Sequence, residues 1–236
     1  MGHEFCGQIE EVCGPKSNWI EGKRVIAYAR IHCAQCALCL RGDTNLCTRR
    51  QIFEMDRPGA FAECIAVPQR VLIPWPEGIP GAVAVLTEPL ANGINANGVV
   101  SCGEKVASGC GPIGLMCILA ARRLHGSSVV VCDLIPERLE PARRLGADET
   151  VNIALQDLTR EAREHWSGSA PEFVIDAVGS AETKLLSLEL VEFGGTVVSV
   201  GLHEDLIPLN SYFLTLGQKS VAGSYSGSFN DFRQAA

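Results

Sequence analysis

Between residues 105 and 224 the chain alternates short Val- and Ile-rich runs with helix-length stretches, and no other feature restricts its fold so tightly. Residues 105–108 read as a strand and 113–125 as a helix stopped by Gly126, a residue free to take the left-handed conformation at a helix end. Residues 128–132 read as a buried strand and 136–145 as the next helix. Further strands are expected at 151–153, 173–178, 196–200 and 220–224. Continuous apolar strands separated by helices imply a parallel sheet covered on both faces, an α/β architecture. Pro141 is at odds with the second helix, because an interior proline removes a backbone hydrogen bond.

The first strand and helix of this series are joined by Gly109-Cys110-Gly111-Pro112-Ile113-Gly114, which is G-x-G-x-x-G. The motif is weak alone and strong between a strand and a helix, where it marks a Rossmann dinucleotide-binding turn. Gly109 makes the tight turn, Gly111 lets backbone approach a pyrophosphate, and Gly114 packs helix on sheet. The helix N-terminus adds amide donors and a positive dipole end, and Pro112 sits where a first helical position tolerates proline. Asp133 closes the next strand, 19 residues beyond Gly114. A carboxylate there accepts hydrogen bonds from both adenosine ribose hydroxyls and repels a 2'-phosphate, so NAD is expected over NADP. The competing reading makes Asp133 a cap for the helix that begins at Pro136.

Cys33, Cys36, Cys39 and Cys47 form a C-x2-C-x2-C-x7-C cluster. Four thiolates from one short loop make a closed tetrahedral zinc site with no position for substrate, a structural role. Disulfide pairing is the alternative, and a tight loop with cysteines this close suits a metal better than a strained bridge. Nearly all of the seven other cysteines (Cys6, Cys13, Cys64, Cys102, Cys110, Cys117, Cys132) are read as small buried hydrophobes. Eleven cysteines without a secretory leader suggest a reducing compartment, hence a cytoplasmic protein. A net charge of -7 disfavours nucleic-acid or anionic-membrane partners, and no apolar run reaches the roughly 18 residues that span a bilayer.

The first 95 residues differ in character, with short β-like runs at 8–12, 24–28 and 60–67 broken by Gly and Pro, followed by a helical stretch around 82–97. This division gives an irregular β domain over 1–95 and a nucleotide domain over 96–236.

Gly2-His3-Glu4-Phe5-Cys6-Gly7 is unremarkable alone. Together with the four-cysteine loop ending in Asn45-Leu46-Cys47, Glu88-Pro89-Leu90, the G-x-G-P-I-G turn and Leu145-Gly146-Ala147-Asp148, it resembles the zinc-containing medium-chain dehydrogenase/reductase family along essentially the whole chain. The resemblance implies a GroES-like first domain and a zinc-dependent oxidoreductase passing hydride between an alcohol or polyol and NAD. His3 matches a ligand of the catalytic zinc, and Glu4 a neighbouring glutamate that binds this zinc or sits beside it. Glu88 matches a ligating or second-sphere glutamate of sorbitol-dehydrogenase-like and threonine-dehydrogenase-like members. Ile113, Asp133, Arg138, Val200, Gly201 and Leu202 fall on nucleotide-contacting positions. The resemblance implies a small-molecule alcohol or polyol substrate and a homo-oligomer, a dimer or tetramer. The remaining histidines (His32, His125, His165, His203) match nothing catalytic and are read as surface or loop residues.

Family members carry a further cysteine ligand before the G-H-E motif and continue past the sixth strand. The chain is therefore expected to be truncated at both ends, which leaves an inactive zinc- and nucleotide-binding fragment as an alternative. A threonine-dehydrogenase-like activity on an amino alcohol is another. A zinc-free quinone or enoyl reductase fits less well, because it needs neither the cysteine loop nor G-H-E.

Overall fold

Residues 1–14, 18–100, 103 and 105–236 are described by the computed structural model, in which the chain divides into Met1–Ala91 with Ser226–Ala236, and Asn92–Tyr225. In the first unit, β1 (Cys6–Gln8) and β2 (Arg24–Ala27) pair antiparallel, and β3 (Arg30–Ile31) follows at once. A short helix α1 (Ala37–Arg41) separates β3 from its antiparallel partner β4 (Gln51–Ile52). β5 (Leu72–Pro74) completes a three-stranded sheet beside β2, and two helices follow, α2 (Gly81–Ala84) and α3 (Thr87–Gly98), the second of which continues past the division at Ala91. The apolar side chains Ile26, Tyr28, Ile31, Phe53, Val71 and Ile73 close over one core.

Residues 60–67 form no strand, contrary to the expectation from their apolar content. Phe61 is 83% exposed, and the amides of Ala60 and Phe61 donate instead to the carbonyls of Gly2 and Met1, at 2.8 and 2.9 Å. The run expected at 8–12 is likewise displaced to Cys6–Gln8.

The second unit carries β6 (Lys105–Ser108), α4 (Pro112–His125), β7 (Val129–Asp133), α5 (Leu139–Leu145), β8 (Glu149–Asn152) and α6 (Leu158–His165). It continues with β9 (Phe173–Asp176), α7 (Ala181–Leu190), β10 (Thr196–Ser199), α8 (Ser211–Gly217) and β11 (Ser220–Gly223). All six strands run parallel in the order β11-β10-β9-β6-β7-β8. Strand order reverses between β6 and β9, the topological switch point where doubly wound sheets bind ligands. Alternation along β7 explains the double cover: Val129 and Val131 pack with Ile118 and Ala142, while Val130 and Cys132 pack with Leu158 and Trp166. Pro141 finds its explanation here, because a 3-10 turn over Pro136–Arg138 delays the α-helix to Leu139. Pro141 then stands in the first turn, where its missing amide would have had no intrahelical partner.

Residues 226–236, expected with the nucleotide domain, pack into the first unit. They form α9 (Phe229–Ala235), opened by a reciprocal cap between Ser228 and Asp231. Phe232 is fully buried beside the Tyr28 ring at 5.3 Å. Tyr28 donates to the Gly227 carbonyl at 2.6 Å, and the Phe229 amide donates to Thr44 Oγ1 at 2.7 Å.

Of the cysteines outside the cluster, Cys110, Cys117 and Cys132 are buried as expected and Cys6 is half-buried. Cys13 and Cys64 are exposed, which corrects the reading of them as buried hydrophobes, and Cys102 lies outside the described residues. Both exposed cysteines sit in loop segments of the first unit that no strand organises. His32, read as a surface or loop residue, is buried, with its ring 5.6 Å from that of Phe229. No helix among the described residues is long and apolar enough to cross a membrane.

Truncating Phe232 to Ala should destabilise the first unit by about 3–5 kcal/mol. The same change at Phe193, which is 81% exposed, should stay within about 0.5 kcal/mol. Denaturant unfolding of the two variants checks both values.

Candidate functional site

The cysteine loop folds around its own sulfurs. Cys36 precedes α1, and Gly42 ends that helix in the left-handed conformation at φ 99°. The four Sγ atoms lie within 4.8 Å of one another, with Cys33 to Cys39 at 3.8 Å and Cys36 to Cys47 at 3.9 Å. Thiolates around a tetrahedral zinc at about 2.3 Å stand roughly 3.8 Å apart, whereas disulfide sulfurs are bonded at about 2.05 Å. The spacing is that of a metal cage. Backbone amides of Gln35 and Cys36 donate to Cys33 Sγ, and Arg49 Nη2 reaches it at 3.2 Å. The Gln35 amide bond leads in holding the Cys33 thiol down to about 5, while burial pushes Cys39 up to about 12. Four thiolates gathered this closely repel one another, and a dication supplies the offsetting charge.

A second group forms where the N-terminal segment meets the start of α3. His3, Glu4 and Glu88 bring ligand atoms within 4.8 Å of one another, although they are far apart in sequence. One imidazole and two carboxylates make a donor set suited to zinc with a position left open. Burial, followed by the charge of Glu88, raises the pKa of Glu4 above the usual carboxylate range. Glu88 is buried in the first turn of α3, and Arg30 Nη1 donates to its Oε1 at 3.3 Å. Two residues that the sequence did not mark therefore enter the site. Arg30 holds Glu88, and Glu54 Oε1 lies 2.8 Å from His3 Nδ1. Both contacts join segments that nothing local in the sequence connects.

In the second unit the glycine-rich turn follows β6. Gly109 has φ +89°, and a side chain at Gly114 would collide with the Gly109 carbonyl. Pro112 takes the first position of α4, and Ile113 follows it. Asp133 is drawn onto this turn: its Oδ2 accepts from the Cys110 amide at 2.7 Å and its Oδ1 from the Ile135 amide at 2.9 Å. Arg138 Nη1 stands 3.8 Å from Asp133 Oδ2. The carboxylate thus fastens the turn and steadies the approach to the next helix, while each oxygen keeps a second acceptor site. Past β10, the Val200 and Gly201 amides both donate to the Asp176 carbonyl at 2.9 Å, and Leu202 is 87% exposed. Gly201 leaves no room for a Cβ against Val178 and Gly179, and Val178 also borders Gly109, so these segments gather at the sheet's switch point.

Cys36→Ser should release one equivalent of zinc and make residues 33–47 protease-sensitive. Metal analysis paired with limited proteolysis reads both. Wild-type chain that carries a disulfide here and no zinc would refute the cage.

A family model of zinc-binding dehydrogenases matches residues 112–236, and one of the alcohol dehydrogenase GroES-like domain matches residues 1–77. The chain is 30% identical over 204 residues to an L-threonine 3-dehydrogenase of Rhizobium rhizogenes, covering 86% of this chain. It spans 59% of the length of that relative. Among solved structures, a short chain alcohol dehydrogenase of E. coli CFT073 complexed with NADH superposes with a TM-score of 0.89 at 26% identity, over 99% of this chain and 69% of that one. A zinc-binding dehydrogenase of Sinorhizobium meliloti 1021 bound to NADP gives a TM-score of 0.89 at 27% identity, over 99% and 70%. A GroES-like β domain therefore precedes a Rossmann sheet in this molecule, and the chain belongs to the zinc-binding dehydrogenase family.

Proposed function

We propose that this chain carries the site of a zinc-dependent dehydrogenase that transfers a hydride between an alcohol or polyol and NAD, giving a ketone or aldehyde. The convergence of His3, Glu4 and Glu88 on one spot, in a chain that also carries a dinucleotide turn, is the observation that supports it most. In this reading His3, Glu4 and Glu88 hold the catalytic zinc, and Cys33, Cys36, Cys39 and Cys47 hold a structural one. When bound, the catalytic zinc lowers the pKa of the substrate hydroxyl and NAD supplies the hydride acceptor.

The chain's own residues do the rest. Glu4 and Glu88 offset the charge of the dication, and Arg30 fixes the direction in which Glu88 points. The amides at the start of α4, reached across Gly111, Pro112 and Ile113, receive the pyrophosphate. Asp133 accepts the adenosine ribose hydroxyls and repels a 2'-phosphate, with Arg138 balancing part of its charge. Val200, Gly201 and Leu202 border the nucleotide beyond β10. Residues 1–91, joined by 226–236, serve as the catalytic domain, and the intervening residues serve as the nucleotide domain. The substrate class is a small alcohol or polyol, and the similarity to an L-threonine 3-dehydrogenase favours an amino alcohol as the second choice. A homodimer or tetramer working in the cytoplasm fits this reading, since a reducing compartment keeps the four thiols available for metal.

A turnover assay with zinc, NAD and a panel of polyols, secondary alcohols and L-threonine tests the proposal. Activity should disappear in His3→Ala and on chelation. Nucleotide and zinc binding without turnover on any alcohol would favour the inactive-fragment reading instead. NAD should bind more tightly than NADP, and Asp133→Ala should weaken NAD on the order of 10–100-fold and narrow the discrimination. Part of that loss would come from the released Cys110 amide. Equal affinities for the two cofactors in the unaltered chain, measured by fluorescence titration, would rule out the assignment of Asp133.

A further inference from the structure

Glu54 takes a backbone conformation that a glutamate has no local reason to adopt. Its φ is +73°, in the left-handed region that favours glycine and, among other residues, asparagine or aspartate. The turn after β4 sets this conformation: the amides of Met55 and Asp56 both donate to the Ile52 carbonyl, and Asp56 Oδ2 accepts from the Ile52 amide. A glycine would satisfy the same backbone. The side chain, however, is engaged at both oxygens. Its Oε2 accepts from the Gly2 amide at 2.6 Å, and its Oε1 meets His3 Nδ1 at 2.8 Å. The two segments are clamped next door by Phe5 and Phe53, which pack edge to face with centroids 5.5 Å apart. Phe53 is 1% exposed, so the carboxylate one residue later is presented from a fixed base.

An ionised carboxylate only accepts, so the ring nitrogen facing it is the one that carries the proton. The other nitrogen, Nε2, then keeps its lone pair. We propose that Glu54 is a positioning residue for His3, which locks the imidazole in the Nδ1–H tautomer and aims Nε2 at the metal held with Glu4 and Glu88. This rests on reading those three residues as a metal centre. Glu54 is not itself a ligand in this assignment, because the converging ligand atoms are those of His3, Glu4 and Glu88 and its own oxygens face His3 and Gly2. The left-handed glutamate is thereby explained: the conformation is disfavoured, and the side chain it delivers orients a ligand.

Glu54→Gly separates this role from a structural one, because glycine accepts the backbone angle while removing the carboxylate. In metal-free chain, nitrogen-15 NMR of His3 should show the Nδ1–H tautomer dominant, giving way to a mixture in Glu54→Gly. Chelator-competition titration of the second zinc should show affinity falling about 10–100-fold in that variant. Its unfolding midpoint should be unchanged or higher, where a merely structural residue would lower it. Glu54→Gln, which keeps an acceptor oxygen, should retain most of the affinity. Unchanged tautomer and zinc affinity in Glu54→Gly would overturn the positioning role alone. Equal loss in Glu54→Gln and Glu54→Gly would overturn it in favour of a ligating charge. If the unaltered chain takes up only the zinc of the cysteine loop, the metal centre itself is refuted, and the role of Glu54 with it.

Discussion

Bringing like charges together is the constraint on which the first unit depends. Its irregular β framework, with strands of two to four residues, gathers four thiols in one loop and three acidic or imidazole groups in another place. Neither gathering is favourable in an empty protein. The raised pKa of Glu4, set first by burial and then by the charge of Glu88, carries part of that conflict. At the cysteine loop a dication relieves it, so metal binding and the local fold of that loop are linked quantities. The surrounding donors are arranged to the same end: amides and Arg49 face the thiolate sulfur, and Arg30 faces the buried Glu88.

The second unit depends on close backbone approach instead of charge. Gly114 against the Gly109 carbonyl, and Gly201 against Val178 and Gly179, are contacts that no side chain could share. They bring the ends of neighbouring strands close enough for one carboxylate, Asp133, to tie the first turn to the second strand. Here the apolar alternation of β7 supplies the stability, and the glycines supply the space.

These two ways of building explain what could be read directly from the chain. The sheet of the second unit was legible because each βα step is local: periodicity, Gly126 and the glycine-rich turn all act within a few residues. The cysteine cage was legible for the same reason. The His3–Glu4–Glu88 group was visible only through likeness to a family, since its members meet across long stretches of sequence. Arg30 and Glu54 were not visible at all, because an arginine in a strand and a glutamate in a turn carry no local mark of what they touch. Residues 60–67 misled because apolar content was taken for strand, while their amides serve the N-terminal segment. Nothing local announced that the helix opened by Ser228 would fill the core around Tyr28.

That last packing has a consequence for the order of assembly. Tyr28, Thr44 and Asn45 receive their partners Gly227, Phe229 and Ser226 from a segment that follows the whole parallel sheet in sequence. On a ribosome, which releases chain from the N-terminus, the parallel sheet can collapse as soon as its sixth strand emerges. The segment before the sheet must wait, with an opening where Phe232 belongs, until residues 226–236 arrive. Closing so long a loop is slow because its entropy is lost before the contacts reward it. Residues synthesised before the sheet are thus among the last to reach their final surroundings, and through that interval the nascent chain exposes Tyr28 and its apolar neighbours to whatever else is folding nearby.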